Sequence, residues 1–479
     1  MAVLASKSFL NYYNEKTIFE AGMDFLNREA ELETLNREYN QSRFSFVVVY
    51  GRRRVGKTRL LLEFTRGKNS VMFTADTQTE ALNIRRMQDK AARELGDGLL
   101  ASVDFPSLEA FIRHLFKTAA QGNQKLVLVI DELQYLVQQN DALPSIFQRL
   151  IDEELQHTHH MLVLCGSLVS LMHRSTLAYE SPLYGRRTAQ IKLGPLSYTH
   201  FTAWCPTEKP ASQVELYGVV SGVPKYMELF SIQGTPLDSA VRNVFHPGSF
   251  FLQEPRFLLN EEVTEGKTYF SILQVIAQGE HKIGKIAAKV GTKNANITSF
   301  LNRLQELDLI ERRVPVFEAR PEKSKKGLYF FRDHFFRFWF AFIFPHSGDI
   351  EMGQTEHVHK RIEANFSGFI APVFEQVCQE IFVRQNLFPV LRIGRHWGRH
   401  LEIDVVAIGE QDLFFGECKW SDRPVDLDVL HALQTKVAGL DPGWLAGKRI
   451  HYGVFAKAGF TPKLQRIGAR EDAVLMSWV

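Results

Sequence analysis

The stretch FVVVYGRRRVGKTRLLLEF, residues 46–64, runs from an apolar strand pattern through a glycine turn into a helical pattern. The turn matches G-x-x-x-x-G-K-[ST], in which glycines let backbone N–H groups wrap phosphates at a helix N-terminus. Lys57 would reach the β and γ phosphates and Thr58 would ligate Mg²⁺. The strand-turn-helix context disfavours an incidental glycine turn, so the stretch predicts a nucleotide site. The predicted cofactor-binding residues of this loop are Gly51, Arg52, Arg53, Arg54, Val55, Gly56, Lys57, Thr58 and Arg59.

A second apolar run, KLVLVIDELQYL at residues 125–136, ends in two adjacent carboxylates. Its composition is typical of a strand buried in a parallel sheet. We expect Asp131 to hold Mg²⁺ through water and Glu132 to orient or deprotonate the attacking water. Carboxylates after a strand also serve as helix caps, but the upstream phosphate loop favours the hydrolytic role.

A third apolar run, HMLVLCGSLVSLM at residues 160–172, has a strand pattern that ends at Gly166 and Ser167. Together the three runs resemble the Walker A, Walker B and sensor strands of the AAA+ and STAND branch of P-loop ATPases. The resemblance implies ATP and Mg²⁺ as cofactors and a position near the γ phosphate for Ser167. A serine that only caps the following helix is the alternative.

Three further segments extend the resemblance. FLNREAELETL, residues 25–35, is similar to the segment that precedes the P-loop strand in the archaeal-type ATPase family. YGVVSGVPKYMELF, residues 217–230, contains a G-x-P element similar to the one that touches adenine in STAND proteins, which implies such a contact for Pro224. Arg186 and Arg187 are candidates for an arginine finger, and a solvated basic loop is the alternative.

The middle of the chain predicts three short helices followed by a strand. Helical patterns lie in YFSILQVIAQG at residues 269–279, with Gly279 as the stop, in IGKIAAKVG at 283–291, and in NANITSFLNRLQELDLIERR at 294–313, whose end overlaps the strand pattern LIERRVPVFE. This order resembles a winged helix-turn-helix. Between His281 and Arg332 there are twelve Lys or Arg and five acidic residues, a local excess of seven positive charges. The excess predicts DNA as a partner, whereas an internal lid, a protein contact or a flexible charged turn at residues 320–327 are the alternatives.

Near the C-terminus, LEIDVVAIGEQDLFFGECKW at residues 401–420 predicts a β-hairpin closed by a four-residue loop. If Ile408 pairs with Leu413, then Asp404 lies opposite Glu417. Directly opposed like charges destabilise a strand pair. A divalent cation would relieve the repulsion, because Mg²⁺ is commonly bound by one or two carboxylates.

An acid, a spacer and acid-x-Lys on a hairpin after an acidic helix resemble the PD-(D/E)XK nuclease superfamily. The resemblance implies that Asp404 and Glu417 are catalytic metal ligands, that Lys419 is the catalytic lysine, and that Glu375 is the helix metal ligand. Gln434 and Lys436 fall where many members carry an accessory polar residue. Ile403 stands where many members have proline, and an ordinary hairpin or a degenerate fold that only binds are the alternatives.

The order of these elements resembles archaeal-type ATPases that carry a C-terminal nuclease-like domain. It implies an α/β protein in which a P-loop NTPase with a parallel sheet precedes a helical lid, a winged helix-turn-helix and a restriction-endonuclease-like domain. An aromatic-rich helix at residues 329–345 would join the last two. The expected domains are 1–205 for the P-loop ATPase, 206–265 for the lid, 266–335 for the winged helix and 350–479 for the nuclease-like domain.

Composition sets outer limits on function. Hydrophobic residues make up 45% and charged residues 23% of 479 residues, with a net charge of +3, which is typical of a soluble globular protein. No apolar run approaches the ~20 residues that cross a bilayer, and we expect a cytoplasmic protein without a signal peptide.

The expected function is a DNA-directed ATPase with a metal-dependent nuclease, and the alternatives are a regulatory STAND-type ATPase or a transcription regulator. The oligomeric state stays open, a homo-oligomer included.

Overall fold

The computed structural model describes residues 27–121, 124–246, 248–263, 266–399 and 401–479. These residues form two units. The first comprises the described residues through Gly51, then Gly56–Ser167 and Leu171–Leu193. The second comprises Arg52–Val55, Leu168–Ser170 and Gly194–Val479.

Five parallel strands form the sheet of the first unit, in the order β2-β3-β4-β1-β5. The strands β1, β3 and β4 are the three apolar runs of the sequence, and all three strand predictions are confirmed. The strands are β1 (Ser45–Tyr50), β2 (Ser70–Thr74), β3 (Val127–Asp131), β4 (Met161–Gly166) and β5 (Ala189–Lys192). The helices are α1 (Glu29–Tyr39), α2 (Lys57–Thr65), α3 (Glu80–Leu95), α4 (Leu108–Gln121), α5 (Gln134–Gln139), α6 (Leu143–Glu153) and the single turn α7 (Val169–Met172).

The register of this sheet brings the ends of its central strands to one edge. β4 lies between β1 and β3, with Tyr50 paired to Gly166 and Ile130 paired to Leu164. The segments that follow the three strands therefore start at the same carboxyl edge, where parallel α/β sheets bind ligands.

The second unit begins with helices and a small hairpin. The three helices of the middle region are confirmed, and β6 and β7 pair antiparallel after them. The helices are α8 (Tyr198–Phe201), α9 (Pro210–Val220), α10 (Pro224–Leu229), α11 (Pro236–Val244), α12 (Phe250–Glu262), α13 (Gly266–Ala277), α14 (Ile283–Val290) and α15 (Asn294–Glu306). The strands are β6 (Ile310–Arg313) and β7 (Leu328–Phe331).

A five-stranded mixed sheet, ordered β12-β11-β10-β9-β8, forms the C-terminal part of the second unit. β8, β9 and β10 are antiparallel neighbours, whereas β10, β11 and β12 are parallel. The helices are α16 (His334–Phe338), α17 (Ser347–Glu351), α18 (Glu356–Gln385), α19 (Leu427–Ala438), α20 (Pro442–Leu445) and α21 (Pro462–Arg470). The strands are β8 (Arg392–Trp397), β9 (Glu402–Ile408), β10 (Asp412–Lys419), β11 (Arg449–Ala456) and β12 (Val474–Ser477).

Two helices cover this mixed sheet and fix its core. Leu433 of α19 packs with Val406 and Phe415 in one buried cluster. Phe382 of α18 stacks on Phe414 with ring centroids 4.0 Å apart. Phe414 and Phe415 are neighbours on one strand and point to opposite faces, so α18 and α19 lie on opposite faces of the sheet.

The region between the hairpin and α18 differs from the prediction of one helix at residues 329–345. Its first residues belong to β7, because alternating burial suits Tyr329 and Phe331 to a strand. Asp333 then ends the strand and begins α16 by accepting a hydrogen bond from Phe336 N–H at 3.0 Å. A π-helical turn, Trp339–Ile343, and a 3-10 turn, Phe344–His346, complete the segment.

The predicted segment at residues 25–35 is described only in part. Phe25 and Leu26 lie outside the described residues, and Glu29 begins α1. Within the described ranges, no helix is long and apolar enough to cross a membrane.

Candidate functional site

The phosphate loop between β1 and α2 has a backbone that requires glycine at both ends. Gly51 has φ 153°, and a Cβ there would lie 2.1 Å from the Leu193 carbonyl oxygen. Gly56 has φ 93° and caps α2. The Lys57 side chain is buried and donates to the Gly51 carbonyl at 2.8 Å. This hydrogen bond holds the ammonium group, which would meet phosphate, inside the loop.

The carboxylates after β3 lie beside the start of α2. Thr58 Oγ1 donates to Asp131 Oδ2 at 2.7 Å, which joins the two predicted Mg²⁺ ligands directly. Oxygen donors of this kind suit Mg²⁺, which would neutralise charge between the β and γ phosphates when bound. Glu132 follows with φ 54°, a left-handed conformation that turns its side chain away from the strand direction.

Ser167 contacts the proposed hydrolytic carboxylate. Its hydroxyl donates to Glu132 Oε2 at 2.5 Å, and the Gln134 amide nitrogen lies 3.1 Å from the Ser167 oxygen. Gln134 also donates to Glu132. The sequence reasoning missed Gln134, although its position two residues after Glu132 in a motif strand was a usable signal.

The three arginines of the phosphate loop belong to the second unit and pair with carboxylates of that same unit. Arg52 pairs with Asp333 and both are buried. Arg53 pairs with Glu261 at 3.0 Å, and Arg54 pairs with Glu254 at 2.7 Å. The prediction that these loop positions bind the cofactor stays a prediction; the side chains of Arg52, Arg53 and Arg54 contact protein carboxylates. Arg59 is exposed on α2, and Val55 is buried.

Glu254, the partner of Arg54, has a pKa well above that of an ordinary glutamate. Burial raises its pKa to about 7, against the opposing charge of Arg54. The Tyr226 hydroxyl donates to Glu254 at 3.2 Å. No motif marks Glu254, Glu261 or Asp333 in the sequence, because they come from separate segments.

The G-x-P element lies next to this arginine group. A Cβ on Gly222 would lie 1.9 Å from the Leu196 carbonyl oxygen, so only glycine fits there. Pro224 begins α10, and the following Lys225 N–H donates to the Arg54 carbonyl at 3.4 Å. The structure therefore brings Pro224 close to the loop arginines.

The two arginine-finger candidates are held by their own surroundings. Arg186 forms a two-pronged ion pair with Asp152, with both N···O distances at 2.7 Å. Arg187 donates to the Thr176 carbonyl at 3.3 Å. These contacts give both residues structural partners within the first unit.

A second group of charged side chains lies on the mixed sheet. The predicted register is confirmed from Ile408 and Leu413 through Val405 and Gly416. One step further, the Asp404 side chain accepts the Cys418 N–H at 3.0 Å. Burial raises the pKa of Asp404, and the nearby charge of Glu417 raises it further. The effect of Glu417 has the direction expected from repulsion between the two carboxylates.

Glu375 of α18 faces the same sheet. It pairs with Arg395 of β8 at 3.2 Å, and Arg395 also pairs with Glu402. Burial raises the pKa of Glu375 to about 7, Arg395 opposes the shift, and Asp404 adds to it. One helical turn after Glu375, Gln379 donates to the Asp404 carbonyl at 3.0 Å. The sequence reasoning missed both Arg395 and Gln379.

Two lysines hold Glu417. Lys419 and Lys436 each donate to one of its carboxylate oxygens at 2.8 Å. Burial alone would lower the pKa of Lys419, but its hydrogen bond and charge interaction with Glu417 raise it. Of the two accessory candidates, Lys436 reaches the group, whereas Gln434 donates to Glu471 at 2.8 Å and lies outside it.

The donor set on the mixed sheet fits a divalent cation. Asp404 and Glu417 offer carboxylate oxygens, the ligands that Mg²⁺ prefers, and their mutual repulsion would be relieved by positive charge. Lys419 contacts Glu417 directly at 2.8 Å. We call Glu375, Asp404, Glu417, Lys419 and Lys436 the C-terminal acidic site.

The parallel sheet, the phosphate loop and the carboxylates after β3 define a P-loop ATPase. Residues 25–230 match the model of an ATPase domain predominantly from Archaea, and residues 339–432 match a family of archaeal and bacterial proteins of unknown function. An uncharacterized protein of Methanocaldococcus jannaschii is 34% identical over 430 residues, which cover 87% of this chain and 93% of that protein. The chain therefore belongs to this archaeal P-loop ATPase family.

Two other similarities agree with that placement. An uncharacterized ATP-binding protein of the same organism is 48% identical over 44 residues, 9% of this chain and 75% of that protein. The Walker-type ATPase of Pyrococcus abyssi superposes with a TM-score of 0.50 at 18% identity, over 66% of this chain and 96% of that one. At that identity the superposition shows a shared fold.

Proposed function

We propose that this ATPase is directed to DNA and that its nucleotide state controls a metal-dependent phosphodiesterase at the C-terminal acidic site. The observation that carries the proposal is that three carboxylates and two lysines of α18, β9, β10 and α19 are linked by ion pairs and by charge interactions. A solvated surface hairpin would leave such side chains apart, since opposed carboxylates destabilise a strand pair.

In the proposed reaction, a water oxygen bonds to phosphorus while the bond to the leaving oxygen breaks. Mg²⁺ would supply a bound nucleophilic water and neutralise phosphate charge. Asp404 and Glu417 would hold the ion, and Glu375 would complete the ligand set after release from Arg395. Lys419 would stabilise the charge that develops on the phosphoryl oxygens. Lys436 would keep Glu417 oriented.

The DNA part of the proposal rests on the basic helices and hairpin of the middle region. Three helices followed by an antiparallel pair have the order of a winged helix-turn-helix, in which the third helix enters the major groove. Lys323 and Lys325 are exposed between β6 and β7. Lys326 is also exposed and pairs with Glu318 at 3.3 Å. These lysines would meet phosphates rather than bases.

A regulatory STAND-type ATPase that binds without cutting is the second candidate. The observation that favours it is that Arg395 pairs with Glu375 while two lysines pair with Glu417. Such pairing satisfies the carboxylates without metal.

For either candidate we propose that the protein is located in the cytoplasm. All four cysteines are free thiols, as expected in a reducing compartment.

The metal assignment is tested by thermal melting with EDTA, Mg²⁺ or Mn²⁺, alongside cleavage assays on several DNA forms with and without ATP. Wild type should melt higher with metal, because binding to the folded state alone stabilises it. Asp404→Asn should lose this metal response and be neutral or stabilising in EDTA, since it removes the repulsion from Glu417.

Lys419→Ala is the control for that experiment, because it should abolish cleavage while keeping the metal response. If wild type shows no metal shift and cuts no DNA under any condition, the phosphodiesterase assignment is wrong. ATP hydrolysis that persists in that case would favour the regulatory candidate.

The DNA assignment is tested by the salt dependence of binding. Replacing Lys323, Lys325 and Lys326 with alanine should weaken binding similarly across sequences and reduce the log–log salt slope by about 2 to 3, roughly one per lost phosphate contact. A matched triple variant of exposed lysines elsewhere, at Lys209, Lys360 and Lys463, should keep the slope. Equal slopes for wild type and the first variant would instead indicate a lid or a protein-contact role.

A further inference from the structure

Two histidines and an aspartate converge where the short helix α17 meets the long helix α18. Asp349 Oδ2 lies 3.0 Å from His357 Nε2 and 3.5 Å from His346 Nδ1. The nearest nitrogens and oxygen of the three residues all lie within 4.8 Å of one another. In the described part of the chain, no other three histidine, cysteine or acidic side chains are gathered this closely.

The backbone around this cluster is anchored on both helices. Ile350, next to Asp349, is fully buried, and so is Val358, next to His357. The turn between the helices is closed by a hydrogen bond from Gln354 N–H to the Asp349 carbonyl at 2.8 Å. Gly353 has φ 76° in that turn, a left-handed conformation that favours glycine. The donors are therefore carried by fixed elements rather than by a mobile loop.

The spacing of the donors suits a tetrahedral metal ion. Bonds of about 2.0 to 2.2 Å from Zn²⁺ to histidine nitrogen or carboxylate oxygen place neighbouring tetrahedral ligands about 3.3 to 3.5 Å apart. Of the two separations from Asp349, 3.5 Å lies at the upper end of that range and 3.0 Å is slightly shorter. All three donor atoms lie within 4.8 Å of one another, so one ion between them would draw them closer together.

The donor types select the class of ion. Imidazole nitrogens suit Zn²⁺ and its neighbours in the first transition row, whereas Mg²⁺ and Ca²⁺ take oxygen ligands. We propose that His346, Asp349 and His357 bind one Zn²⁺ ion. The side chains are 20%, 36% and 54% exposed in that order, so an ion can enter from solvent and keep water as its fourth ligand.

Such an ion would connect two elements that are otherwise joined by a short turn. His346 ends the 3-10 turn before α17, Asp349 lies within α17, and His357 lies in the first turn of α18. α18 is also the helix that carries Glu375. The zinc site is nevertheless separate from the C-terminal acidic site, and it does not depend on the proposed function.

A simple charge cluster is the alternative reading of the same contacts. An aspartate between two histidines is stabilised by ion pairing whenever the imidazoles are protonated, without any metal. The two readings differ in one measurable respect. Zinc binding requires neutral imidazole and weakens as the pH falls, whereas ion pairing strengthens.

The test is titration of the full chain with Zn²⁺ in excess Mg²⁺, read by competition with a chromophoric chelator, and with Co²⁺, read by its visible absorption. Wild type should bind one ion at this cluster, with a Co²⁺ spectrum of tetrahedral type. His357→Gln and Asp349→Asn, on different helices, should each weaken binding at least about tenfold, since even outer-shell changes cost 10- to 100-fold. Melting in EDTA should be close to wild type for both variants.

Two controls assign the ion to this cluster. His359→Gln changes a histidine of the same helix that is outside the cluster, and Asp404→Asn removes a carboxylate of the C-terminal acidic site. Both should keep wild-type zinc affinity. Absence of zinc binding by wild type, or equal affinity in wild type, His357→Gln and Asp349→Asn, would overturn the proposal, whatever the outcome of the nuclease assays.

Discussion

The phosphate loop and the C-terminal acidic site both combine a lysine with carboxylates, but they neutralise charge differently. Lys57 donates to a backbone carbonyl and Asp131 accepts from the Thr58 hydroxyl. At the C-terminal acidic site, Glu417 instead receives two lysines, and Glu375 faces Arg395. Lys57 and Asp131 each make a hydrogen bond to a neutral group, whereas Glu375 and Glu417 of the C-terminal acidic site pair with basic side chains.

This difference has consequences for ligand binding. Neutral partners are displaced at small cost, so a nucleotide phosphate and Mg²⁺ meet charges that are already oriented. At the C-terminal acidic site an incoming cation competes with basic side chains for the same oxygens. We therefore expect the phosphate loop to bind nucleotide and Mg²⁺ tightly. We expect the C-terminal acidic site to bind a divalent cation more weakly, because the cation must displace basic side chains.

The largest expected effects are at the phosphate loop. Lys57→Ala should abolish productive ATP binding, because the phosphates lose the buried ammonium group. Glu132→Gln should keep ATP binding and lower hydrolysis by about 10²- to 10⁴-fold, the usual range for loss of a general base. ATP binding and turnover are measured by filter retention and phosphate release. Lys90→Ala, a half-buried lysine of α3 outside the phosphate loop, is the control, and equal hydrolysis by all four proteins would refute the site.

The loop arginines give the next largest effect, on stability. Asp333→Asn removes the carboxylate that pairs with the buried Arg52, which should cost about 3 to 5 kcal/mol of unfolding free energy. Asparagine keeps the oxygen that caps α16. Glu261→Gln breaks the more exposed pair with Arg53 and should cost at most about 1 kcal/mol. Urea unfolding measures both, and similar small losses for the two variants would mean that burial does not distinguish these pairs.

Lys436→Ala tests directly whether basic side chains compete with metal at the C-terminal acidic site. Removing one of the two lysines on Glu417 should strengthen apparent Mg²⁺ affinity by about two- to fivefold, the size of a partly exposed ion pair. The readout is the metal concentration at half the melting-temperature shift. Gln434→Ala, on the same helix but paired with Glu471, is the matched control. Weaker metal binding by Lys436→Ala would show that the lysine supports the ligand set.

Much of the nucleotide site was predictable because its residues lie in short contiguous motifs. Gly51, Lys57 and Asp131 each follow or end a buried strand, and the parallel register brings those strand ends to one edge. The hairpin register was equally predictable, since a four-residue loop fixes which residues pair. The β9–β10 ladder confirms it up to Val405 and Gly416.

What could not be predicted are partners that come from distant segments. Asp333, Glu254 and Arg395 carry no motif, and only tertiary structure brings them to Arg52, Arg54 and Glu375. The aromatic run at residues 329–345 was misassigned for a different reason. Dense aromatic residues satisfy strand and helix periodicity alike, and the break at Asp333 depends on a side-chain cap that the pattern does not reveal.

The last expected effect is a pH dependence shared by the two regions, because burial raises the pKa of Glu254 and of Glu375 to about 7. A carboxyl group with a raised pKa holds its proton more tightly in the folded state. Its contribution to stability is therefore full below the ordinary range near pH 4 and is lost as the pH rises through about 7. Glu375→Gln should gain in melting temperature relative to wild type between about pH 5 and about pH 8. Glu254→Gln should behave in the same way, reduced by loss of its ion pair with Arg54. A difference between variant and wild type that stays constant across this range would show that Glu375 keeps an ordinary acidity beside Arg395.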